Sequence, residues 1–174
     1  MKRNGTIVIT GFMGCGKSKV ARELALRRNV VMVDLDDWIT RHVGRNPAEL
    51  INEEGEPAFR AIETNALHEL LQSGEAGVIA LGGGAWIEEA NRKLIDRYGC
   101  TSVWLDTPFE ICWERIAASE EDRPLGRTRE EAQARYDRRK PIYKLAMVHV
   151  TVSSGEPVDQ LVSLIEVQLN RDEH

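Results

Sequence analysis

The stretch that decides the fold is "GFMGCGKSK", residues 11–19, which directly follows the apolar run "TIVIT". It fits the pattern G-x-x-x-x-G-K-[ST], which ends here on Lys17 and Ser18. Glycines in such a loop let successive backbone N–H groups point at phosphate oxygens, and the positive end of the next helix adds to the attraction. An ordinary glycine-rich turn is the alternative. A strand-like run before the loop and a helical pattern after it favour phosphate binding.

The loop residues have distinct predicted tasks. Lys17 would reach the β- and γ-phosphates of ATP, and the Ser18 hydroxyl would be a ligand of Mg²⁺. Cys15 is either a thiol activated by the electropositive loop or simply a small residue that fits there. The predicted ATP-binding residues of the loop are Gly11, Gly14, Cys15, Gly16, Lys17, Ser18 and Lys19.

Short apolar runs alternate with helical patterns along the chain. Because most of these runs are rich in Val and Ile, they are typical of strands covered on both faces. Such alternation predicts an α/β fold, in which helices cover both faces of a parallel sheet. Ligands bind at the carboxyl ends of the strands in these sheets, so polar clusters at strand ends are the candidate site. The predicted strands are residues 6–10, 30–34, 77–81, 101–106 and 147–152.

Three short patterns predict where helices begin. "TPFE" offers Thr107 as an N-cap, "NPAE" offers Asn46, and "TREE" from Thr128 forms a capping box. The last helix is predicted to follow Pro157 and to run to about Asn170.

Length and composition indicate one domain, residues 1–174, with a substantial core, since 42% of its residues are apolar. A net charge of -5 argues against a nucleic-acid partner, which would favour a basic protein. Three scattered cysteines indicate neither a disulfide framework nor a zinc site, which favours a reducing compartment. The sequence shows neither a signal-peptide pattern nor a membrane-length apolar run, so we expect a cytoplasmic protein without a membrane partner.

Acidic residues end the second predicted strand, in the run "VDLDD". Asp34 and Asp36 lie two positions apart, so in an extended chain their side chains point the same way. Two like charges on one side call for a cation or a hydrogen-bond donor. We predict that Asp34 assists Mg²⁺ through water, and that Asp36 holds a substrate hydroxyl and accepts its proton. A solvated helix N-cap is the alternative, and Asp37 fits that role best.

Glycines end the third predicted strand, in the run "LGGGA". Many P-loop enzymes carry a metal-binding aspartate there, so here the metal would depend more on Ser18 and Asp34. The glycines would let a small substrate lie against the backbone of Gly82, Gly83 and Gly84. A merely flexible turn is the alternative.

Arginines provide the predicted anion-binding groups. Arg60 and Glu63 lie at i and i+3 of a helix, so Glu63 would hold Arg60 in position, although such pairs are also common on surfaces. Arg139 stands just before Lys140-Pro141, where a helix should end. Together, Arg60 and Arg139 suit a carboxylate through bidentate pairing.

The segment "DRPLGRT" is polar, contains Pro and Gly, and precedes a capped helix. These features predict a mobile lid at about residues 118–128. Arg123 on a closing lid would meet the transferring phosphoryl group, where a further cation stabilises the spread negative charge.

The ordered set of motifs resembles the shikimate kinase family over nearly the whole chain. The motifs are "GFMGCGKS", "DLD", "EEGEPAFRAIE", "LGGGA", "VWLDTP", "DRPL" and "RKPIY", which are specific in this order and spacing. The resemblance implies a three-layer, nucleoside-monophosphate-kinase-like fold with a five-stranded parallel sheet. It also implies that ATP and shikimate are the partners, that Mg²⁺ is the cofactor, and that the γ-phosphate goes to the 3-hydroxyl of shikimate in aromatic amino-acid biosynthesis. A monomer is expected.

The resemblance also implies roles for individual residues. The implied catalytic residues are Lys17, Asp36 and Arg123, and Arg123 also contacts ATP. The implied metal ligands are Ser18 and Asp34. The implied shikimate-binding residues, centred on a region of about residues 35–62, are Asp36, Arg60, Gly82, Gly83, Gly84 and Arg139. Two departures from the family pattern are Lys19, where Thr is usual, and Gly126, where Leu is usual.

Two rival functions remain open from the sequence. The first is another small-molecule P-loop kinase, such as a nucleoside monophosphate kinase. Its acceptor is a phosphate oxygen that is already ionised at neutral pH and therefore needs no base. A noncatalytic nucleotide-binding regulator would keep "GCGKS" but need not combine Asp36 with the three arginines. The joint presence of Asp36, Arg60, Arg123 and Arg139 favours an enzyme with a hydroxyl acceptor.

Overall fold

A sheet of five parallel strands organises the computed structural model, which describes residues 5–171. The strands are β1 (Ile7–Thr10), β2 (Met32–Asp34), β3 (Val78–Ala80), β4 (Thr101–Asp106) and β5 (Val148–Thr151). They lie in the order β2-β3-β1-β4-β5, and each neighbouring pair is parallel. The predicted α/β fold with a five-stranded parallel sheet is therefore confirmed.

Helices connect the strands and flank the sheet. They are α1 (Lys17–Arg28), α2 (Leu35–Val43), α3 (Pro47–Glu54), α4 (Glu56–Ser73), α5 (Glu89–Arg97), α6 (Phe109–Ala118), α7 (Arg129–Tyr143) and α8 (Val158–Arg171), with a short 3₁₀ turn at Ala85–Ile87. Every residue of β1 and β3 is buried, as expected for strands covered on both faces. β5 alternates buried and exposed residues, because it lies at the edge of the sheet.

The register of the sheet brings three strand ends together. β3 lies between β2 and β1, so that Ala80 is level with Asp34 on one side and with Ile9 on the other. The chain then leaves β1 into the loop at residues 11–16 and leaves β3 towards the glycine turn at residues 82–84. The P-loop, Asp34 and the glycine turn therefore share one edge of the sheet, where parallel sheets bind ligands.

Two of the predicted helix starts are confirmed and one is wrong. Asn46 and Thr128 form capping boxes, each accepting a hydrogen bond from the backbone of a glutamate three residues later. Thr107 does not cap α6, which begins at Phe109 after Pro108. Instead, the buried Thr107 hydroxyl donates to the carbonyl of Cys15 at 3.4 Å, so this threonine ties the end of β4 to the P-loop.

The acidic run after β2 adopts a helix start rather than an extended pair. Asp34 is the N-cap of α2, and its Oδ1 accepts hydrogen bonds from the backbone N–H groups of Asp36 at 3.0 Å and Asp37 at 3.3 Å. The prediction of an extended Asp34–Asp36 pair was wrong. The alternative, in which Asp37 is the N-cap, was also wrong, because Asp34 occupies that position. A carboxylate one residue before the helix satisfies two of its free donors, which is why the helix begins here.

Helix α7 passes through Pro141 and does not end at Arg139 as predicted. The proline removes one backbone hydrogen bond and is costly inside a helix. Tertiary contacts offset that cost, because the almost fully buried Tyr143 donates to the carbonyl of Gly83, and Trp86 donates to the carbonyl of Ile142 at 2.9 Å. The helix therefore continues long enough to anchor the glycine turn.

Four of the predicted strands are shorter in the structure than in the sequence prediction. β2 begins two residues later than predicted, because the N–H of Val30 still bonds the carbonyl of Ala25 at the end of α1. The last helix follows Pro157 as predicted and reaches Arg171. Within residues 5–171, no helix combines the length and the apolar character needed to cross a bilayer.

Candidate active site

The P-loop wraps closely because its glycines adopt left-handed backbone angles. Gly14 and Gly16 have φ values of 76° and 96°, and a Cβ at Gly14 would lie 2.8 Å from the carbonyl oxygen of Cys112. Arg115 supports the loop by donating to the Gly14 carbonyl at 3.1 Å. Helix α1 begins at Lys17, so the loop lies at the positive end of a 12-residue helix. This geometry supports the predicted phosphate cradle.

Lys17 extends across the loop. Its Nζ donates to the carbonyl oxygens of Gly11 at 2.9 Å and Phe12 at 3.0 Å. Cys15 is 2% exposed, and its Sγ lies 3.7 Å from the same Nζ. Lys19 is exposed, and its predicted contact with ATP stays a prediction.

Ser18 and Asp34 form the predicted metal pair. The Ser18 hydroxyl donates to Asp34 Oδ2 at 2.6 Å, which places two oxygen ligands side by side at the start of α1. Mg²⁺ usually binds proteins through only one or two such oxygens, together with water and substrate phosphates. No larger group of three or more acidic, histidine or cysteine ligands occurs among the residues that the structure describes. The pair therefore fits Mg²⁺ held between protein and nucleotide.

Asp36 is a carboxylate that lacks the partners needed to stabilise its charge. Its Oδ1 is buried and has no hydrogen-bond partner within residues 5–171. Burial raises the pKa of Asp36 to about 7, the negative charges of Glu63 and Asp34 add to the increase, and Lys17 and Arg60 oppose it. A carboxylate with a pKa near neutrality can exchange a proton with a substrate hydroxyl at working pH.

Gly82 and Gly84 allow charged side chains to approach the turn after β3. A Cβ at Gly82 would lie 2.9 Å from Asp36 Oδ1 and 3.2 Å from Glu63 Oε2. A Cβ at Gly84 would overlap the guanidinium group of Arg60. Bare backbone at these two positions is therefore what allows the charged groups to gather.

Gly83 joins the same turn to the P-loop and to α7. A Cβ at this position would lie 3.3 Å from the backbone nitrogen of Met13 and 3.6 Å from Arg139 Nη1. Arg139 itself is only 7% exposed. The predicted residues Asp36, Arg60 and Arg139 thus converge on one glycine turn beside the P-loop.

Arg60 is held by two glutamates. Its Nη1 lies 2.7 Å from Glu63 Oε1, and its Nη2 lies 3.1 Å from Glu56 Oε1. Glu63 is fully buried, so the pair is not the surface pair that the sequence left open. Burial raises the pKa of Glu63, while the positive charges of Arg60 and Arg139 oppose that rise. The buried Glu63 therefore holds the guanidinium group of Arg60 in position, as predicted.

A cavity of about 250 Å³ opens beside these residues. Four guanidinium groups and two carboxylates line it, together with Gly84 and apolar side chains of Ile87 and Ile142. The charged lining residues are Glu56, Arg60, Glu88, Arg135, Arg138 and Arg139. The excess of positive charge suits a small acid.

The predicted lid forms an irregular segment between α6 and α7. Asn52 of α3 donates to Asp122 at 2.8 Å and accepts from Arg127 at 3.1 Å. A Cβ at Gly126 would lie 3.1 Å from Cε of Met13, so the absence of a side chain there lets the lid approach the P-loop. Arg123 lies in this segment and pairs with Glu121 at 2.9 Å. Its contact with a phosphoryl group stays a prediction.

Sequence reasoning missed four residues that shape the site. Glu56 precedes Arg60 by one helical turn, and Arg135 precedes Arg139 in the same way, so spacing alone could have suggested both. Arg115 and Tyr143 reach the P-loop and the glycine turn from distant parts of the chain. No local pattern marks such long-range contacts.

Comparison with known proteins identifies the family. Residues 13–170 match the family model described as Shikimate kinase. The chain belongs to the shikimate kinase family. This membership confirms the predicted family, fold and enzyme class. ATP is accordingly the co-substrate, as expected of a kinase family.

Individual shikimate kinases agree with that assignment. The enzyme of Streptococcus thermophilus is 40% identical over 154 residues, which cover 86% of this chain and 92% of that protein. The enzyme of Cereibacter sphaeroides is also 40% identical over 154 residues, covering 87% of this chain and 75% of that protein. The solved structure of shikimate kinase from Acinetobacter baumannii in complex with shikimate is 30% identical, with a TM-score of 0.85 and coverage of 95% and 93%.

Proposed function

We propose that this shikimate kinase family member uses the converged residues at the sheet edge to phosphorylate the 3-hydroxyl of shikimate. The products would be shikimate 3-phosphate and ADP. The observation that carries the proposal is the meeting of Asp36, Arg60 and Arg139 at the glycine turn beside the P-loop. A related structure that contains shikimate, from Acinetobacter baumannii, supports the choice of acceptor.

Arg60 and Arg139 bind the carboxylate of shikimate in this proposal. Both guanidinium groups line the cavity, and Glu63 and Glu56 fix the orientation of Arg60. Charge-assisted, bidentate hydrogen bonds to a carboxylate are strong and directional. They would orient the ring against Gly82–Gly84 so that the acceptor hydroxyl faces Asp36.

Asp36 then acts on the hydroxyl. The hydroxyl oxygen attacks the γ-phosphorus of ATP, and its proton passes to the Asp36 carboxylate. The bond between the γ-phosphorus and the oxygen that bridges it to the β-phosphorus breaks. The electron pair of that bond leaves with ADP. Because such transition states are loose, most of the catalysis comes from positioning and from charge stabilisation.

The P-loop amides, Lys17 and the lid residue Arg123 stabilise the negative charge on the transferring group. Ser18 and Asp34 would hold Mg²⁺ against the nucleotide, directly or through water. When bound there, Mg²⁺ would neutralise part of the phosphate charge. Lid closure over residues 118–128 would exclude water, so that ATP is not hydrolysed without an acceptor.

The remaining assignments belong to the same proposal. The region at about residues 35–62 would be the shikimate-binding part of a single kinase domain. A net charge of -5 gives no reason to expect a nucleic-acid partner. We expect the protein to act as a monomer in the cytoplasm, where ATP and shikimate are its partners.

Acceptor dependence of ADP release tests the proposed function. The protein should release ADP rapidly with Mg²⁺, ATP and shikimate together, and at most a few per cent as fast with shikimate omitted. Phosphorus NMR should show one phosphate ester at the 3-hydroxyl. AMP serves as the control acceptor, because a nucleoside monophosphate kinase would turn it over. Equal rates with and without shikimate would overturn the proposal.

The pH dependence of the reaction should report Asp36. Since its pKa is about 7, the carboxylate is mostly protonated at pH 6 and mostly ionised at pH 8. kcat/KM for shikimate at saturating ATP should therefore fall roughly tenfold per pH unit below about 7 and level off above it. Initial rates between pH 5.5 and 9 provide the measurement, with the coupling enzymes kept in excess. A flat profile across this range would contradict the assigned role.

A further inference from the structure

Arg135 is a charged residue of the cavity that the proposed mechanism does not yet use. It lies on α7 one helical turn before Arg139, so both side chains lie on the same face of the helix. Both also line the cavity, together with Arg60. Arg135 therefore adds a third guanidinium group to the two that the mechanism assigns to the acid.

The contacts of Arg135 leave much of its hydrogen-bonding capacity free. Its Nη1 lies 3.8 Å from Glu56 Oε1, whereas Arg60 Nη2 lies 3.1 Å from the same oxygen. Its Nε is buried and has no hydrogen-bond partner in the part of the chain that the structure describes. An arginine with a buried, unsatisfied N–H beside a cavity is costly unless an acceptor binds there.

The electrostatic surroundings point to an anionic acceptor. Burial lowers the pKa of Arg135, and the positive charge of Arg139 lowers it further, while Glu56 opposes both effects. Four guanidinium groups face only two carboxylates around the cavity. A bound carboxylate would relieve this repulsion and would accept hydrogen bonds from the accessible end of the Arg135 side chain, which is 21% exposed.

We propose that Arg135 is a further specificity-determining residue, which contacts the carboxylate of the acceptor acid together with Arg139. The proposal rests on the proposed function, since it deepens the recognition of the same substrate. Arg135 selects acids over neutral molecules of the same shape. The phosphoryl transfer itself does not involve it, because the catalytic Asp36 lies at Gly82, whereas Arg135 lines the cavity beside Gly84.

A purely structural role makes a different prediction. Glu56 has a side chain that is 36% exposed and is already bound by Arg60, so its longer contact with Arg135 contributes little to folding. If Arg135 served only to hold Glu56, and through it Arg60, its loss would have no further effect in a Glu56→Gln variant. If it binds the carboxylate itself, the loss would persist in that variant and would depend on the charge of the acceptor.

The test compares Arg135→Leu with the unchanged protein on two acceptors, shikimate and its uncharged methyl ester. For shikimate, kcat/KM should fall roughly tenfold, almost entirely through KM, while kcat and KM for ATP stay within about twofold. For the ester, kcat/KM should change by less than about twofold. This ratio is measurable from initial slopes even where the ester does not saturate the site.

Two further variants make the test specific. Arg135→Lys should recover part of the lost affinity, because it restores a charge without the planar fork. Arg129→Leu is the matched control, since Arg129 is an exposed arginine of the same helix and does not line this cavity. It should raise KM for shikimate less than about twofold if Arg135 acts by direct pairing with the carboxylate and not only through the net positive charge of the protein surface.

The outcomes separate this inference from the proposed function. Equal losses for acid and ester, or no change for either, would overturn the role of Arg135 while leaving the function intact. An equal effect of Arg129→Leu would show that any positive charge on α7 has the same effect, and would overturn direct pairing between Arg135 and the carboxylate. An unchanged protein that does not turn over shikimate at all would instead refute the proposed function. Thermal melting of each variant confirms that it is folded.

Discussion

Replacing Asp36 with asparagine should lower kcat by roughly 10³-fold while the affinity for ATP stays nearly unchanged. Asparagine has almost the same shape as aspartate but cannot accept the proton of the acceptor hydroxyl. The P-loop and its bracing contacts do not depend on the Asp36 side chain. Steady-state kinetics and titration calorimetry with a nonhydrolysable ATP analogue provide the two measurements.

The same substitution should stabilise the protein at alkaline pH. The pKa of Asp36 is about 7 in the folded chain, against an ordinary value of 3.8 that applies to the unfolded chain. The folded state therefore binds the proton more tightly than the unfolded state. Its contribution to stability is complete below pH 3.8 and is lost as the pH rises through 7. Asp36→Asn should therefore melt at a higher temperature than the unchanged protein at pH 8, and the gain should shrink towards pH 5.

Asp37→Asn is the matched control for both measurements. Asp37 is the next residue of α2, and its side chain is exposed. It should keep turnover within about twofold and should show no comparable gain in melting temperature, since exposed single substitutions are usually small in effect. Near-normal turnover by Asp36→Asn, or an equal loss in Asp37→Asn, would contradict the role of Asp36 as base.

Gly84→Ala should reduce kcat/KM for shikimate by about 10²-fold, with little change in KM for ATP. The added methyl group would occupy the space of the Arg60 guanidinium, which must then move away from Glu63 and from the cavity. The backbone is not the obstacle, because Gly84 has φ of -104° and ψ of -9°, a helical conformation that alanine adopts readily. The loss of kcat/KM would therefore report the displacement of Arg60 and not a strained backbone.

Two controls accompany this variant. Gly5→Ala adds a methyl group where nothing lies within 4 Å, so its kinetics should match those of the unchanged protein. Circular dichroism should show that Gly84→Ala is folded, since the displaced group is the flexible end of a side chain. If Gly84→Ala binds and turns over shikimate normally, Arg60 does not bind the substrate in the way we propose.

The fold could be predicted from the sequence because the patterns that mark strands and loops involve residues close together in the chain. Val- and Ile-rich runs, followed by glycines or aspartates, indicated a parallel sheet whose strand ends hold the site. The spacing of Lys17 and Ser18 after the glycines fixed the phosphate loop. Sheet register then placed Asp34, the glycine turn and the P-loop side by side, as the strand-end rule predicts.

The rest depended on contacts between distant segments. Whether Glu63 is a surface or a buried residue is decided by its packing beneath the glycine turn, not by its spacing from Arg60. The continuation of α7 through Pro141 depends on Tyr143 and Trp86, which bind backbone atoms far away in sequence. Local rules therefore predicted a helix end that tertiary packing overrides.

The two glutamates around Arg60 have an entropic consequence for recognition. A free arginine side chain loses on the order of 2 kcal/mol of rotamer freedom when it is immobilised. Glu63 and Glu56 already restrict Arg60 in the folded chain, so that loss accompanies folding instead of ligand association. A rigid, preorganised cation can thus discriminate among acids of similar size by geometry, because the guanidinium has little latitude to follow a misplaced carboxylate.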